Sequence, residues 1–172
     1  MYGYGVFRVV FERITAYGHE NISAKHPSTI EVTKEDYLTP HGDCIVGVGA
    51  DKALSDLSRE FRDLLRDRCT VLIALFYIDN RLYDIVLGHG DEGLILENNT
   101  KIIFRRSTYI DDATIAIRVN KAARDLDRGM ISLLRNPETR LIIVLIALKP
   151  LEIYPEYVGV GRVIEYLPIS SN

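Results

Sequence analysis

Apolar and polar residues alternate with a period of two along much of this chain, a pattern typical of β-strands with one buried face. Two further runs, each of eight apolar residues, are predicted as central strands covered on both faces. The predicted strands are residues 11–17, 29–33, 45–48, 71–78, 81–87, a segment around Ile102 and Phe104, 114–117 and 141–148.

A helical spacing follows the third strand in each half of the chain. Ala53, Leu57 and Phe61 recur four residues apart, which places them on one face of a helix. Asp51 and Asn120 are residue types favoured at helix N-caps, because their side chains accept hydrogen bonds from free backbone N–H groups. The sequence therefore predicts two helices that begin directly after these two residues.

The two halves of the chain also align with each other. Residues 43–75 match residues 112–144 at a constant offset of 69, and 12 of the 33 positions are identical, where ordinary composition gives about two. The match continues upstream at an offset of 72, and the dipeptide Gly18-His19 aligns with Gly88-His89 at an offset of 70. We therefore predict a tandem duplication of a β-β-β-α-β unit, with repeats at about 10–78 and 81–148.

These elements predict one α+β domain over residues 1–172. Two such units pack most simply about a pseudo-twofold axis, and two helices then flank either a barrel-like sheet or two packed sheets. Periodicity does not separate these two arrangements. A C-terminal extension, residues 150–172, is predicted to contain one further strand at 158–167.

Composition narrows the classes of function without selecting one. The net charge of −3 counts against a protein whose whole surface binds nucleic acid. The longest apolar runs are far shorter than the roughly 20 residues of a membrane-spanning helix, so no membrane association is expected. Two cysteines in a chain of this length indicate a reducing, cytoplasmic compartment. The absence of glutamine and the many charged residues are typical of thermophilic proteins.

The most suggestive chemical groups lie in and beyond the loop after the first strand. His19, His26 and Asp43 are the candidate catalytic residues, because imidazole and carboxylate groups transfer protons or hold a ligand by hydrogen bonds. The alternative for Asp43 is that it only closes a turn. His41 and Cys44 would extend the set to metal ligands, but no metal-binding spacing is present, and the sequence leaves a metal or cofactor undetermined.

Lys52 is the candidate contact for an anion, with Asn21 and Asp51 as further ligand-binding residues. A lysine at the start of a helix opposes the helix dipole, and Lys121 repeats it at the aligned position. Such a lysine suits a phosphate or carboxylate beside free N–H groups. The alternative is an ion pair with Asp56, one helical turn further on.

Three functions agree with these residues. The first is a binding protein or enzyme for a small anionic ligand, with a polar site in the first repeat. The second is a protein-interaction or scaffold module, including a homo-oligomer, whose surface would use Tyr154, Tyr157 and Tyr166 of the extension. The third is nucleic-acid binding, which the net charge disfavours and which would use Arg105, Arg106, Arg118 and Arg124.

One motif resembles a known family. The run Gly42-Asp43-Cys44-Ile45-Val46-Gly47-Val48-Gly49-Ala50-Asp51-Lys52, with Gly18-His19-Glu20-Asn21 upstream, is similar to the signature of an uncharacterised archaeal family, domain of unknown function 371. The resemblance covers roughly residues 10–148. It implies an archaeal cytoplasmic protein and supplies no catalytic residues to carry over. The family usually has Arg where this chain has His41, which weakens a metal site that uses His41.

Overall fold

The computed structural model describes residues 7–151, and its elements follow the order β-β-β-α-β twice. The first series is β1 (Phe7–Tyr17), β2 (Thr29–Thr33), β3 (Ile45–Gly47), α1 (Arg59–Leu65) and β4 (Val71–Ile78). The second series is β5 (Arg81–His89), β6 (Lys101–Arg105), β7 (Thr114–Ala116), α2 (Arg128–Leu134) and β8 (Arg140–Pro150). Each strand predicted within this range is present, with small changes at its ends.

The strands form two sheets of four. The first sheet has the order β1-β8-β4-β5 and is antiparallel throughout. The second sheet has the order β3-β2-β6-β7, with an antiparallel pair at its centre and a parallel strand at each edge. The protein is thus α+β with two helices and two sheets. Among the described strands, the two-sheet alternative is correct and the closed barrel is not.

The hydrophobic core lies between the two sheets. The rings of Phe76 in β4 and Phe104 in β6 are 6.3 Å apart, so aromatic side chains of the two sheets pack directly on each other. Small residues let the strands approach at another point, where a Cβ on Gly47 would lie 3.0 Å from the Cβ of Ala16. Both helices add apolar side chains to this core, such as Phe61 of α1 and Met130 of α2.

The helices begin later than predicted. The N-cap of α1 is Ser58, whose side chain accepts a hydrogen bond from the N–H of Phe61, and that of α2 is Asp127. Short 3-10 turns at Leu54–Asp56 and Ala123–Asp125 precede them. The predicted caps at residues 51 and 120 were wrong because these side chains accept backbone N–H groups of β1 and β5 instead.

Some predictions lie outside the described residues. These are the strand at 158–167 and the surface formed by Tyr154, Tyr157 and Tyr166. Within residues 7–151, neither helix has the length and apolar character required to cross a membrane.

Candidate functional site

The loop between β1 and β2 is held against α2. The backbone N–H of His19 donates to the carbonyl of Leu134, at the end of the helix, at 2.8 Å. At the other end of the helix, the guanidinium of Arg128 donates to the carbonyl of Ala24 at 2.9 Å and to that of Ser23 at 2.8 Å. Tertiary contacts therefore fix this loop on a helix that lies about a hundred residues away in sequence.

An open groove of about 440 Å³ lies between this loop and α2, within the size range of small-ligand sites. Polar side chains from both walls face it. The loop contributes Glu20, Asn21 and Lys25, and the helix side contributes Arg128, Ser132 and Arg135. Of the residues singled out from the sequence as catalytic or ligand-binding, Asn21 lines the groove.

Positive charge dominates the groove. Lys25, Arg128 and Arg135 line it together with a single carboxylate, that of Glu20. No ion pair among residues 7–151 involves any of these three cations. The groove therefore offers charge that other side chains of the described chain do not neutralise, which suits an anionic ligand.

At the other helix, α1, the arginines that align with Arg128 and Arg135 are held in ion pairs. The carboxylate of Asp63 lies 3.4 Å from the guanidinium of Arg59 and 3.2 Å from that of Arg66. The position of α2 that aligns with Asp63 is Ser132, which carries no charge. The two arginines that the helices share are therefore paired with a carboxylate at α1, whereas at α2 they face a groove.

His19 and Asn21 shape the loop at the groove. Nδ1 of His19 accepts the backbone N–H of Asn21 at 3.1 Å, so the neutral ring carries its proton on Nε2. The side-chain amide of Asn21 donates to the carbonyl of Leu38 at 2.8 Å. These contacts fix the loop. The turn is capped by Nδ1 of His19, and Nε2 takes no part in it.

His26 and Asp43 are connected through the backbone. The N–H groups of Lys25 and His26 both donate to the backbone carbonyl of Asp43, at 2.9 and 3.1 Å. Nδ1 of His26 accepts the N–H of Thr29 at 3.1 Å and lies 2.7 Å from its hydroxyl. Both residues hold the turn that leads into β2, and neither lines the groove.

Lys52 forms an ion pair with β1 rather than with Asp56. Its Nζ atom lies 2.6 Å from Oε2 of Glu12, and the other carboxylate oxygen accepts the N–H of Ser58 at 2.7 Å. Burial raises the pKa of Glu12, but the hydrogen bonds from Lys52 and Ser58 outweigh it, so the net pKa lies below the ordinary value. Lys52 thus joins the segment before α1 to the first sheet.

A second ion pair of the same kind joins Lys121 to Asp84 of β5. Next to the two lysines, the side chains of Asp51 and Asn120 accept backbone N–H groups of β1 and β5 at 2.8 and 2.9 Å. Asp51 and Lys52 therefore contact β1, and the structure does not bring them to the groove beside α2.

The sequence pairing of His19 with His89 was wrong. His89 is the last residue of β5 and exchanges backbone hydrogen bonds with Ile117. At the end of β1, Tyr17 exchanges such bonds with Val48, which aligns with Ile117. His19 lies beyond β1, in the loop. Burial, followed by the charge of Arg118, lowers the pKa of His89.

Cys44 is held as a protonated thiol. Burial, followed by the charge of Glu31, raises the pKa of Cys44 to about 12, and its Sγ donates to Oε2 of Glu31 at 3.5 Å. A thiol in this state is a weak nucleophile and a weak metal ligand. In the part of the chain from residue 7 to 151, no three His, Cys, Asp or Glu side chains are grouped so that they could hold a metal ion.

The arginines considered for nucleic-acid binding are largely engaged in ion pairs. Arg105 pairs with Asp111, and Arg106 and Arg124 both pair with Asp125, at 2.9 and 3.7 Å. Their charge is therefore partly neutralised within the protein, which does not favour a phosphate-binding stripe.

Sequence analysis missed the part of the groove that α2 provides. Arg128 and Ser132 lie far from the loop in sequence, and only the tertiary contact of loop and helix joins them. One signal was present in the alignment of the two halves, where Asp63 becomes Ser132 while arginines remain on both sides. That loss of a carboxylate predicts unpaired charge on α2.

Comparison with known proteins supplies the family. A family model described as a domain of unknown function, DUF371, matches residues 14–148. The chain belongs to this family. It is also similar to an uncharacterised protein of the archaeon Methanocaldococcus jannaschii, with 38% identity over 133 residues, which cover 77% of this chain and 97% of that protein. The groove and both sheets lie within or adjoin the matched region.

Proposed function

We propose that this DUF371 protein binds a small anionic ligand, with phosphate or carboxylate groups, in the groove between the β1–β2 loop and α2. The observation that carries the proposal is the set of three cations, Lys25, Arg128 and Arg135, that line one groove without carboxylate partners among residues 7–151. Guanidinium groups bind phosphate and carboxylate oxygens through paired N–H donors, which supports this ligand class.

The spacing of the cations supports a ligand with more than one anionic group. Arg128 and Arg135 are seven residues apart, which corresponds to two helical turns and about 10 Å along the axis. Lys25 lies on the opposite wall, in the loop. A compact ligand with two charged ends would contact both arginines at once, whereas a single small anion would reach one.

The residues predicted from the sequence have different roles in this proposal. Asn21 lines the groove and is proposed as a direct ligand contact. His19 is proposed as an acid/base group, since it borders Glu20 and caps the same loop through Nδ1. His26 and Asp43 are proposed to support that loop, and Asp51 and Lys52 to support a separate contact with β1.

The proposal is tested by titration of the ¹⁵N-labelled protein with inorganic phosphate and with pyrophosphate, followed by NMR. We expect saturable shifts in the loop and in α2, with tighter binding of pyrophosphate. Lys25→Ala should weaken binding about 5-fold, or roughly 1 kcal/mol for one exposed charge.

Arg59→Ala is the matched control, because Arg59 is an exposed arginine at the start of the other helix and pairs with Asp63. It should leave the titration unchanged. Shifts that do not saturate, or that lie away from the groove in both proteins, would contradict the proposal.

We also infer that the chain is a tandem duplication about a pseudo-twofold axis, which makes the groove one of two related positions. The element order supports this inference, since β-β-β-α-β occurs twice, and so does the order of both sheets, which is unchanged when the two series are exchanged.

Paired contacts support the same inference. Glycines after β1 and β5 approach the ends of α2 and α1, where a Cβ on Gly18 would lie 2.2 Å from a backbone oxygen and a Cβ on Gly90 would lie 2.3 Å from one. Nδ1 of His26 and Oδ1 of Asn98 accept N–H groups two and three residues further on. Both pairs lie 72 positions apart, which favours a single offset of 72 for the part of each repeat that precedes its third strand.

A further inference from the structure

The β1–β2 loop has a close counterpart in the loop between β5 and β6. Ala24 in the first loop and Leu96 in the second lie 72 residues apart, and both have a positive φ angle, of 46° and 58°. The backbone carbonyl of Asp43 accepts two N–H groups of the first loop, and that of Asp112 accepts two N–H groups of the second. The second loop is therefore an internal reference for the first.

Two imidazoles cap turns in the β1–β2 loop. Nδ1 of His19 accepts the backbone N–H of Asn21 at 3.1 Å. Nδ1 of His26 accepts the N–H groups of Thr29 at 3.1 Å and of Ser28 at 3.3 Å. Because a backbone N–H group can only donate, each Nδ1 atom must offer a lone pair, so both rings are neutral and carry their proton on Nε2.

The other loop caps its turns with oxygen atoms. Oδ1 of Asp91 accepts the N–H of Gly93 at 2.9 Å. Oδ1 of Asn98 accepts the N–H groups of Thr100 and Lys101, at 2.9 and 2.7 Å. These two capping residues lie 72 positions after the two histidines. A carboxylate stays ionised above about pH 5 and an amide does not titrate, so these acceptors keep their lone pairs near neutral pH.

A second proton on either imidazole removes its cap. Imidazole is the side chain whose charge ordinarily changes between about pH 5 and 8. The added proton goes to Nδ1, because Nε2 already carries one, and a protonated Nδ1 is a donor that faces other donors. The hydroxyl of Thr29, 2.7 Å from Nδ1 of His26, can turn to accept, but the N–H groups cannot. The caps are therefore present above this range and are lost as the pH falls through it.

The surroundings of the two rings do not replace a lost cap. Five cations belong to the loop or contact its backbone from β6 and from both ends of α2, and they are Lys25, Arg106, Arg124, Arg128 and Arg135. The carboxylates nearby are those of Glu20, Asp43 and Asp125, the last in ion pairs with two of the arginines. Among residues 7–151, no ion pair includes either histidine. No carboxylate in this part of the chain therefore holds a charged imidazole in place.

We propose that His19 and His26 are positioning residues for the loop wall of the groove, and that they hold this wall only while both imidazoles are neutral. Asn21 and Lys25 line the groove and lie in the segment between the two rings. Their position beside α2 therefore depends on pH. The consequence for the groove rests on the proposed function, whereas the pH dependence of the loop requires no ligand.

Amide hydrogen exchange of the ligand-free, ¹⁵N-labelled chain tests this proposal. Exchange rates are expressed as protection factors, which removes the intrinsic effect of pH. Between about pH 7.5 and about pH 5.5, the protection of Asn21 and Thr29 should fall about 10-fold, because protection follows the fraction of rings that still accept. Gly93 and Lys101, capped in the other loop, should change by less than about twofold in the same samples.

The chain itself supplies the variant that removes the pH dependence. The double substitution His19→Asp with His26→Asn introduces the capping residues of the other loop, and its protection should stay constant over the same range. His41→Asn is the matched control, because His41 is exposed and is neither of the two capping residues. It should retain the decrease seen in the wild type.

Three outcomes would overturn the proposal. One is wild-type protection at Asn21 and Thr29 that is the same at both pH values. Another is a decrease that persists in the double variant, because groups other than the two imidazoles would then control the loop. The third is a proton on Nδ1 rather than Nε2 at about pH 7.5, read from imidazole ¹⁵N chemical shifts. Amides of β4 should keep their protection throughout, which separates a change in the loop from general unfolding. No anion is present, so titration with pyrophosphate remains an independent test of the groove.

Discussion

Two buried carboxylates, Glu12 and Asp84, join distant parts of the chain at the scale of single residues. Their side chains are 8% and 3% exposed, and each accepts a lysine ammonium group and a backbone N–H at the start of a helix, with a further N–H from Ile85 at Asp84. A buried charge is costly unless it is paired and hydrogen-bonded. Here the partners are supplied by the segment before each helix, so the carboxylate also fixes where that segment crosses the sheet.

Glu12→Gln should lower the free energy of unfolding by about 1–3 kcal/mol at neutral pH, because the amide keeps the shape but loses the charge-assisted bonds. The half-exposed Lys52 keeps the value below that of a fully buried pair. Urea denaturation followed by circular dichroism measures it. Glu60→Gln, at an exposed pair with Arg8, is the control and should change stability by less than about 0.5 kcal/mol.

The same substitution should alter the pH dependence of stability. The pKa of Glu12 is lowered in the folded state, so its contribution is complete above the ordinary pKa of 4.5 and is lost as the pH falls below it through the folded pKa. The difference between wild type and Glu12→Gln should therefore shrink as the pH is lowered from about 6 to about 3. A constant difference over this range would show that Glu12 does not stabilise the fold through its charge.

At the scale of elements, strands could be predicted from the sequence and the helix starts could not. The strand signal is local, since alternation reports which face of a segment is buried. Asp51 was predicted as an N-cap from its residue type, but its side chain accepts an N–H of β1. Ser58 became the cap after a 3-10 turn. A residue favoured at caps accepts any free N–H that the fold brings to it, and that choice depends on tertiary contacts.

Two glycines let the loops after β1 and β5 pass over the helix ends, which gives a prediction for these elements. A Cβ on Gly18 would lie 2.2 and 2.4 Å from the backbone oxygens of Asn136 and Leu134. Gly18→Ala should therefore lower the unfolding free energy by about 3 kcal/mol or more, since backbone atoms cannot move aside as side chains do.

Gly93→Ala is the matched control, because the nearest atom to its Cβ would be a side-chain oxygen of Asp91 at 3.3 Å. It should cost less than about 1 kcal/mol in the same denaturation experiment. Equal stability of Gly18→Ala and wild type would mean that the loop does not press against α2 as closely as the structure shows. In that event the β1–β2 loop would not form the wall of the groove opposite α2.

At the scale of the whole molecule, the groove depends on residues that the sequence places far apart. Sequence analysis found Asn21 because it lies beside two histidines in a polar loop. It did not find Arg128, because no local pattern indicates which loop a helix will meet. The alignment of the two halves carries one signal for Arg128, since Ser132 stands where the other helix has Asp63, but the loop that α2 meets is known only from the fold.

This difference leads to a prediction about the number of anion sites. Ser132→Asp should place a carboxylate between Arg128 and Arg135, as Asp63 lies between Arg59 and Arg66, and should weaken pyrophosphate binding at least 10-fold.

The reverse exchange is made beside α1. The double substitution Asp63→Ser with Glu97→Lys removes two acidic groups there and adds a cation at the position that aligns with Lys25. It should raise the stoichiometry of pyrophosphate from one to two per chain in isothermal titration calorimetry.

The outcomes of this exchange separate the binding proposal from the proposed duplication. If Ser132→Asp abolishes binding and the double variant still binds one pyrophosphate, the groove beside α2 is an anion site, but the two halves are not equivalent enough to exchange it. If neither variant changes the titration, the charge balance around the two helices does not control anion binding, and the groove proposal fails. Ser55→Asp, an added carboxylate in the 3-10 turn before α1, is the control for net charge and should leave both affinity and stoichiometry unchanged.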